Sequence, residues 1–143
     1  MNTLDQAQQL IKKTCEHYKI EHSQMTAMSG KNHFKVCLNK DGKLVRLAEV
    51  RMALSYFLYM YCPLKLVQIA PLVGYADHST MSIYRKRIEH YIETEDPRFY
   101  PYYLTIIDLA SDLGISMKLT RILNKHDVAF KDHRGYIYLE KSK

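Results

Sequence analysis

Residues 66–92 constrain the fold of this chain most, because a short apolar segment, a glycine and a longer amphipathic segment follow one another there. Gly74 supplies a break at which the backbone can take a positive φ. Asp77 stands where a helix N-cap belongs, with a carboxylate able to accept from the free amides of the next turn. The segment before the break is apolar enough to lie in a core, through Val67, Ile69, Ala70, Leu72 and Val73. The sequence therefore predicts a helix-turn-helix, with a first helix at 65–72 and a second beginning near 77.

The second of these helices is predicted to have two distinct faces. The buried face recurs at helical spacing through Met81, Tyr84, Ile88, Tyr91 and Ile92. The outer face is polar in its first turn and basic one to two turns later, and comprises His78, Ser79, Ser82, Arg85, Lys86 and Glu89. A recognition helix has this layout, because its first residues reach base edges and later cations hold phosphate. An ordinary amphipathic surface helix is the alternative interpretation of the same pattern.

The same residues carry a resemblance to a known family. Gly74, Asp77-His78-Ser79-Thr80 and Arg85-Lys86-Arg87-Ile88 resemble the signature of the C-terminal DNA-binding domain, domain IV, of the bacterial replication initiator DnaA. Further likenesses upstream are Arg51-Met52-Ala53-Leu54, Ile69-Ala70, Ile11-Lys12-Lys13-Thr14 and Glu16-His17-Tyr18-Lys19-Ile20. The resemblance covers about residues 4–95, with extra residues near 31–43.

This resemblance implies an all-helical, Trp-repressor-like helix-turn-helix domain that binds double-stranded DNA. We expect the base edges to be approached by Asp77, His78, Ser79 and Thr80, whose carboxylate, imidazole and hydroxyl groups suit the donors and acceptors of the major groove. We expect phosphate to be bound by Arg85, Lys86, Arg46 and Lys65. Arg46 is included because it matches a family arginine that meets DNA. Two departures put the family's replication-origin preference in question: Ala48-Glu49 replaces an Arg-Gln pair, and Ala76 replaces the arginine before Asp-His.

Two more helices and an irregular region complete residues 1–95. A helix over 3–20 is predicted from Ala7, Leu10, Ile11, Thr14, Cys15 and Tyr18. A helix over 45–61 is predicted from Leu47, Val50, Leu54, Phe57, Leu58 and Tyr61, and Pro63 follows its end. Between them, alternation over 33–38 and a turn at 39–43 favour a small hairpin. Its lysines, Lys31, Lys35, Lys40 and Lys43, either approach the DNA backbone, as the resemblance implies, or are simply solvated.

Residues 96–143 are predicted to form a small accessory unit. An acidic stretch closed by Pro97 marks the boundary, and the aromatic run 99–103 is expected to dock against the first unit. Residues 107–123 predict a second helix-turn-helix, with a small-residue corner at Ala110 and Gly114. A short β-hairpin is predicted from 128–130 and 136–139. This winged-type order leaves two interpretations: Arg134 enters a DNA groove, or the unit serves packing and protein partners.

Composition and missing motifs exclude several function classes. Of the 143 residues, 47% are hydrophobic and 25% are charged, as in a globular protein, and the net charge of +6 suits an anionic partner. No apolar run approaches the ~20 residues needed to span a bilayer, and we expect no membrane partner. The beginning of the sequence lacks the order of a secretory signal, and three cysteines without a CxxC pair favour a reducing cytoplasm. No phosphate-cradling GxxxxGK[ST], HExxH or GxSxG motif occurs, so we expect no enzyme activity, no cofactor and no metal.

The sequence therefore predicts a bacterial, cytoplasmic, mostly α-helical protein that binds double-stranded DNA sequence-specifically. Its role is expected to be control of replication or transcription without ATPase activity, and a replication or transcription protein would be a consistent second partner. The alternative is a protein–protein interaction adaptor that retains a helix-turn-helix scaffold. The sequence contains no heptad zipper, and the oligomeric state stays open.

Overall fold

The computed structural model describes residues 3–29, 32–62, 64–75, 79–115, 127–131 and 137–141, and describes side chains within 3–27, 34–62, 64–75 and 80–115. These ranges contain six α-helices and three two-stranded antiparallel pairs. The predicted fold class, mostly helical with a short β-hairpin, is confirmed.

The helices are α1 (Thr3–Tyr18), α2 (His22–Thr26), α3 (Leu47–Tyr61), α4 (Leu66–Val73), α5 (Ser79–Glu93) and α6 (Tyr100–Asp112). The strands are β1 (Met28–Ser29), β2 (Asn32–His33), β3 (Cys37–Leu38), β4 (Leu44–Val45), β5 (Asp127–Lys131) and β6 (Ile137–Lys141). Strand β1 pairs with β2, β3 with β4, and β5 with β6, and Ala129 lies opposite Leu139 at the middle of the β5–β6 pair. The predicted helices at 3–20, 45–61 and 65–72 and the hairpin around 39–43 are therefore present.

Helix α3 lies at the centre of the fold. Twelve of its fifteen residues are buried, which is the pattern of a helix that is apolar on almost every side. Helices α4, α5 and α6 all pack against it, and α1 packs against α6, α4 and α2. The largest fully buried side chains of α3 are Leu47, Leu54, Phe57 and Leu58. Helices α4, α5 and α6 therefore bury residues against this central helix.

Arg51 is a buried cation within α3, with only 3% of its surface exposed. Its Nη1 donates to the carbonyl oxygen of Met25, and its Nη2 donates to the carbonyl oxygen of Phe34. One side chain therefore links the central helix to the end of α2 and to the chain after β2. Burial lowers the pKa of Arg51 from its ordinary value. A guanidinium suits this place, because its planar fork of donors can serve two carbonyls at once.

Helix α6 belongs to the same core as α1 and α3. Phe99, Tyr103 and Ile106 are buried in it, and the rings of Phe99 and Tyr103 stack with centroids 5.8 Å apart. The hydroxyl of Tyr102 accepts a hydrogen bond of 2.9 Å from the backbone N–H of Arg46, at the start of α3. The aromatic run thus docks against the first unit, as expected.

The helix expected to open the second helix-turn-helix begins seven residues before 107, at Tyr100. Pro101 explains the early start, because a proline in the first turn has no N–H that would need a partner. The helix ends at the predicted corner: Gly114 has φ 75°, and the N–H of Ile115 donates to Ala110 O over 2.9 Å. The remainder of that predicted motif, residues 116–123, lies outside the described residues.

Candidate nucleic-acid interface

Helix α4 ends in a left-handed glycine that turns the chain toward α5. Gly74 has φ 86° and ψ 13°. Its N–H donates to Pro71 O over 3.3 Å, and the N–H of Tyr75 donates to Ala70 O over 2.8 Å. This pair of hydrogen bonds is the Schellman pattern, which satisfies carbonyls that the helix end would leave without donors. The break predicted at Gly74 is present.

A second constraint at Gly74 comes from α2. A Cβ on Gly74 would lie 2.6 Å from Thr26 Cγ2 and 2.9 Å from Thr26 Cα. His22, also on α2, has its Nε2 2.9 Å from the carbonyl oxygen of Leu72. The end of α4 is thus held against α2 at two points, Leu72 and Gly74.

Helix α5 buries the predicted face against α3. Met81, Ile88 and Ile92 are buried, and Tyr84 and Tyr91 are half-buried. Tyr75, just after the turn, is buried beside Tyr84, with the two ring centroids 6.4 Å apart. Burial raises the pKa of Tyr75 above its usual range, so its phenol stays neutral. The periodicity therefore predicted the inner face of α5 correctly.

The residues expected to read bases fall mostly outside the described residues. This is the case for Asp77 and His78 and for the side chain of Ser79, although the backbone of Ser79 forms the first residue of α5. The side chain of Thr80, one residue into the helix, is half-buried. The base-reading role of these four residues stays a prediction.

The four cations expected to bind phosphate lie in different surroundings. Lys86 and Lys65 are exposed, on α5 and at the N-cap of α4 respectively. Arg46 is the half-buried N-cap of α3 and lines a cavity of about 440 Å³ together with Arg98. The structure therefore places Arg46 beside the start of α6, while Lys86 lies on the helix-turn-helix.

Arg85 is turned from the outer face of α5 toward α3. Its side chain is 33% exposed, and its guanidinium carbon lies 5.9 Å from the centroid of the Tyr59 ring. Its Nε lies 3.3 Å from Glu89 Oε1, one helical turn later. Arg85 and Lys86 both line a groove of about 480 Å³ between α3 and α5.

Two exposed residues of α5 were not among the expected contacts. Ile83 is 71% exposed, although its residue type suggested a place in the core. Arg87, one turn later, is exposed and holds its guanidinium carbon 5.3 Å from the centroid of the Tyr84 ring. Both lie off the stripe of Met81, Ile88 and Ile92, so the helical wheel that placed the core could have identified them. Ile83 and Arg87 extend the outer face of α5 beyond the predicted set.

Two further findings concern other kinds of site. Within the described chain, every helix is too short or too polar to span a lipid bilayer. Among the side chains that the structure describes, no three His, Cys, Asp or Glu residues are grouped in a way that could hold a metal ion. Comparison of this chain with protein-family models, with curated proteins and with solved structures found no match in any of the three.

Proposed function

We propose that this protein binds double-stranded DNA sequence-specifically through the α4–α5 helix-turn-helix, with α5 as the recognition helix. We place it in the cytoplasm, in control of replication or transcription and without ATPase activity. The observation that carries the proposal is the outer face of α5, the surface formed by Ser82, Ile83, Lys86 and Arg87. All four side chains are exposed, and the described part of the fold covers none of them.

The shape of this surface suits a major groove. Helix α5 has fifteen residues, which corresponds to a length of about 22 Å, and the major groove of B-DNA admits one α-helix. The helix is anchored along its inner face by Met81, Ile88 and Ile92. A rigidly held helix can present its side chains to base edges without a large cost of ordering on binding.

The charge of α5 suits a polyanion. Lys86 and Arg87 are exposed, whereas the carboxylates of Glu89 and Glu93 lie in the later turns of the helix. The helix N-terminus adds a positive partial charge, because the first amides of a helix have no acceptor within it. Ile83 lies between these cations and the N-terminal turn, and an exposed aliphatic side chain can contact the methyl group of thymine.

The test separates base reading from phosphate binding. A preferred duplex is first selected from a random pool, and affinities for it and for a random duplex are measured by fluorescence anisotropy. His78→Ala is expected to cost about 1–3 kcal/mol on the selected duplex and little on random DNA, because it removes a base contact. Lys86→Ala is expected to weaken both duplexes similarly, because phosphate contacts carry no sequence information.

Lys12→Ala is the matched control, since Lys12 is an exposed lysine on α1. Its affinity for both duplexes should match that of the unaltered protein. Equal losses on both duplexes for His78→Ala and Lys86→Ala would refute the division of roles.

One observation favours the alternative, a protein-interaction adaptor. Four large apolar side chains are exposed within one short segment: Phe34 by 47%, Val36 by 44%, Leu38 by 63% and Leu44 by 56%. Leu38 and Leu44 are cross-strand partners in the β3–β4 pair, so they form one apolar surface. If this protein bound no duplex at low salt, the DNA-binding proposal would be excluded, and the exposed apolar surface would favour the adaptor.

A further inference from the structure

The β3–β4 pair is apolar on both of its faces. On the inner face Val45 is buried, and its cross-strand partner Cys37 is half-buried. On the outer face Leu38 and Leu44 lie opposite each other and are 63% and 56% exposed. An antiparallel pair that packs one face on a core ordinarily carries polar residues on the other. The outer face of this pair is therefore apolar where the fold itself requires no apolar residue.

Two residues that precede β3 add to this exposed apolar surface. Phe34 is 47% exposed and Val36 is 44% exposed, and they stand at every second position before Leu38. We call Phe34, Val36, Leu38 and Leu44 the apolar patch. Of the eight large hydrophobic side chains that are exposed in the described part of the chain, these are four. Single exposed apolar residues are ordinary on a protein surface, whereas a group of them marks an interaction site.

Hydrogen bonds hold the backbone that carries the apolar patch. The carbonyl oxygen of Phe34 accepts from the buried guanidinium of Arg51 on α3. The turn between β3 and β4 is tied to the end of α1, because Asn39 Nδ2 donates to the carbonyl oxygen of Tyr18 over 2.8 Å. A partner would therefore meet the patch on backbone that is already ordered, and would not have to order it on binding.

The charges of the same segment favour an acidic partner. Asp41 is the only carboxylate within residues 34–44, and its Oδ2 is already paired with Lys19 Nζ over 2.6 Å. Lys35 and Lys43 are exposed, and neither forms an ion pair within the described chain. Each adjoins a residue of the apolar patch in the sequence, and a long lysine side chain can bring its ammonium group to the edge of such a surface. Two unpaired cations beside an apolar surface are complementary to apolar residues flanked by carboxylates.

Size and charge disfavour two other occupants, a second copy of this chain and DNA. Four side chains that are about half exposed offer much less than the about 800 Å² per partner that a standard interface buries, so the patch is small for a stable dimer. A second copy would also bring its own Lys35 and Lys43 toward those of the first. Duplex DNA could pair with these lysines, but its phosphates would gain nothing from the exposed leucines.

We propose that the apolar patch is a docking surface for an acidic amphipathic helix of a partner protein. The apolar stripe of that helix lies on Leu38 and Leu44, and its carboxylates pair with Lys35 and Lys43. A helix is the element that offers an apolar stripe with charged residues along its sides. No residue of the patch belongs to α4 or α5, and the proposal does not depend on DNA binding.

The test uses the full chain at low salt and three alanine-based helical peptides of about five turns as probes. The acidic peptide carries leucines along one face and glutamates beside them, the basic peptide has lysine for each glutamate, and the leucine-free peptide has alanine for each leucine. Two-dimensional NMR of the ¹⁵N-labelled protein is followed as each peptide is added to millimolar concentrations. With the acidic peptide we expect saturable shifts at the amides of Lys35, Val36, Leu38 and Leu44. The other two peptides should bind about tenfold more weakly or worse.

Variants of exposed residues separate the two parts of the surface. Lys35→Glu/Lys43→Glu should weaken binding of the acidic peptide by about tenfold or more and strengthen that of the basic peptide, because it reverses the charge and keeps the apolar patch. Leu38→Ser/Leu44→Ser should weaken binding of both peptides by about tenfold or more, because it removes the apolar contact. Val67→Ser is the matched control, since Val67 is 57% exposed on α4, and its affinity for the acidic peptide should be unchanged.

Several results would overturn the proposal. The first two are the absence of shifts at the patch with millimolar acidic peptide, and equal affinities of the unaltered protein for the acidic and basic peptides. A dimer in sedimentation that Leu38→Ser/Leu44→Ser dissociates would assign the patch to a second copy. Shifts at the patch with duplex DNA but not with the acidic peptide would assign it to nucleic acid. A failure of duplex binding would leave the peptide shifts unaffected, so this proposal and the DNA-binding proposal fail separately.

Discussion

Replacing Gly74 with alanine is expected to destabilise the protein in two ways, and both arise from the added Cβ. The first is conformational, because φ 86° is a left-handed value that costs a residue with a Cβ about 1–2 kcal/mol. The second is steric, since the new Cβ would lie 2.6 Å from Thr26 Cγ2 and 2.9 Å from Thr26 Cα. The Cα is backbone and cannot rotate away, so overpacking adds about 1–3 kcal/mol. We expect a total loss of about 2–5 kcal/mol in the free energy of unfolding.

Two other glycines provide matched controls. Gly42 has φ 76° and Gly114 has φ 75°, and a Cβ at either would meet no atom of the described chain within 4 Å. Their alanine variants should therefore lose only the conformational part, about 1–2 kcal/mol. Equilibrium unfolding in urea, followed by far-UV circular dichroism, measures all three variants. If Gly74→Ala lost no more stability than Gly114→Ala, the close approach of α2 to the turn would be refuted.

Two further predictions concern stability. Arg51→Leu should lower the free energy of unfolding by about 2–4 kcal/mol in urea titrations, because the carbonyls of Met25 and Phe34 lose their donors. Arg98→Leu, which alters an exposed arginine, is the control, and a smaller loss for Arg51→Leu than for Arg98→Leu would contradict this prediction. The protein should also be sensitive to alkali, since burial raises the pKa of Cys15 and of Cys62 from 9.0 to about 11. A raised folded-state pKa means that the folded state holds its proton longer, so stability is complete below the unfolded-state pKa near 9.0 and falls as the pH rises toward 11. The guanidinium chloride concentration at the unfolding midpoint should decrease as the pH is raised from about 8 to about 10.5. The decrease should be smaller in the double variant Cys15→Ala/Cys62→Ala, and identical pH profiles would contradict the assignment.

Much of the helical framework could be predicted from local pattern. The inner face of α5 followed from the spacing of Met81, Ile88 and Ile92, and the end of α4 followed from Gly74, because both features are encoded within a few residues. The end of α6 at Gly114 followed for the same reason. Periodicity and glycine positions reflect local backbone geometry, so they predicted helix faces and helix ends.

The features that local pattern did not reveal depend on residues far apart in the chain. The acceptors of Arg51 are the carbonyls of Met25 and Phe34, which sequence spacing cannot bring to it. The close approach of Thr26 to Gly74 is likewise a contact between separate helices. The exposure of Ile83 differs from these contacts, because its place off the stripe of Met81, Ile88 and Ile92 is visible on a helical wheel, although its residue type alone suggested the core.

The salt dependence of duplex binding tests the central proposal most directly, because each phosphate contact that is lost reduces the slope of log K against log salt by about 0.9. The unaltered protein should bind a selected duplex with an affinity that falls steeply as salt rises. Lys86→Ala/Arg87→Ala, which removes two exposed cations from α5, should reduce that slope by about 2, while Lys12→Ala should leave it unchanged. Binding that did not respond to salt, or a slope shared by all three proteins, would contradict the assignment of α5 as the DNA-binding helix.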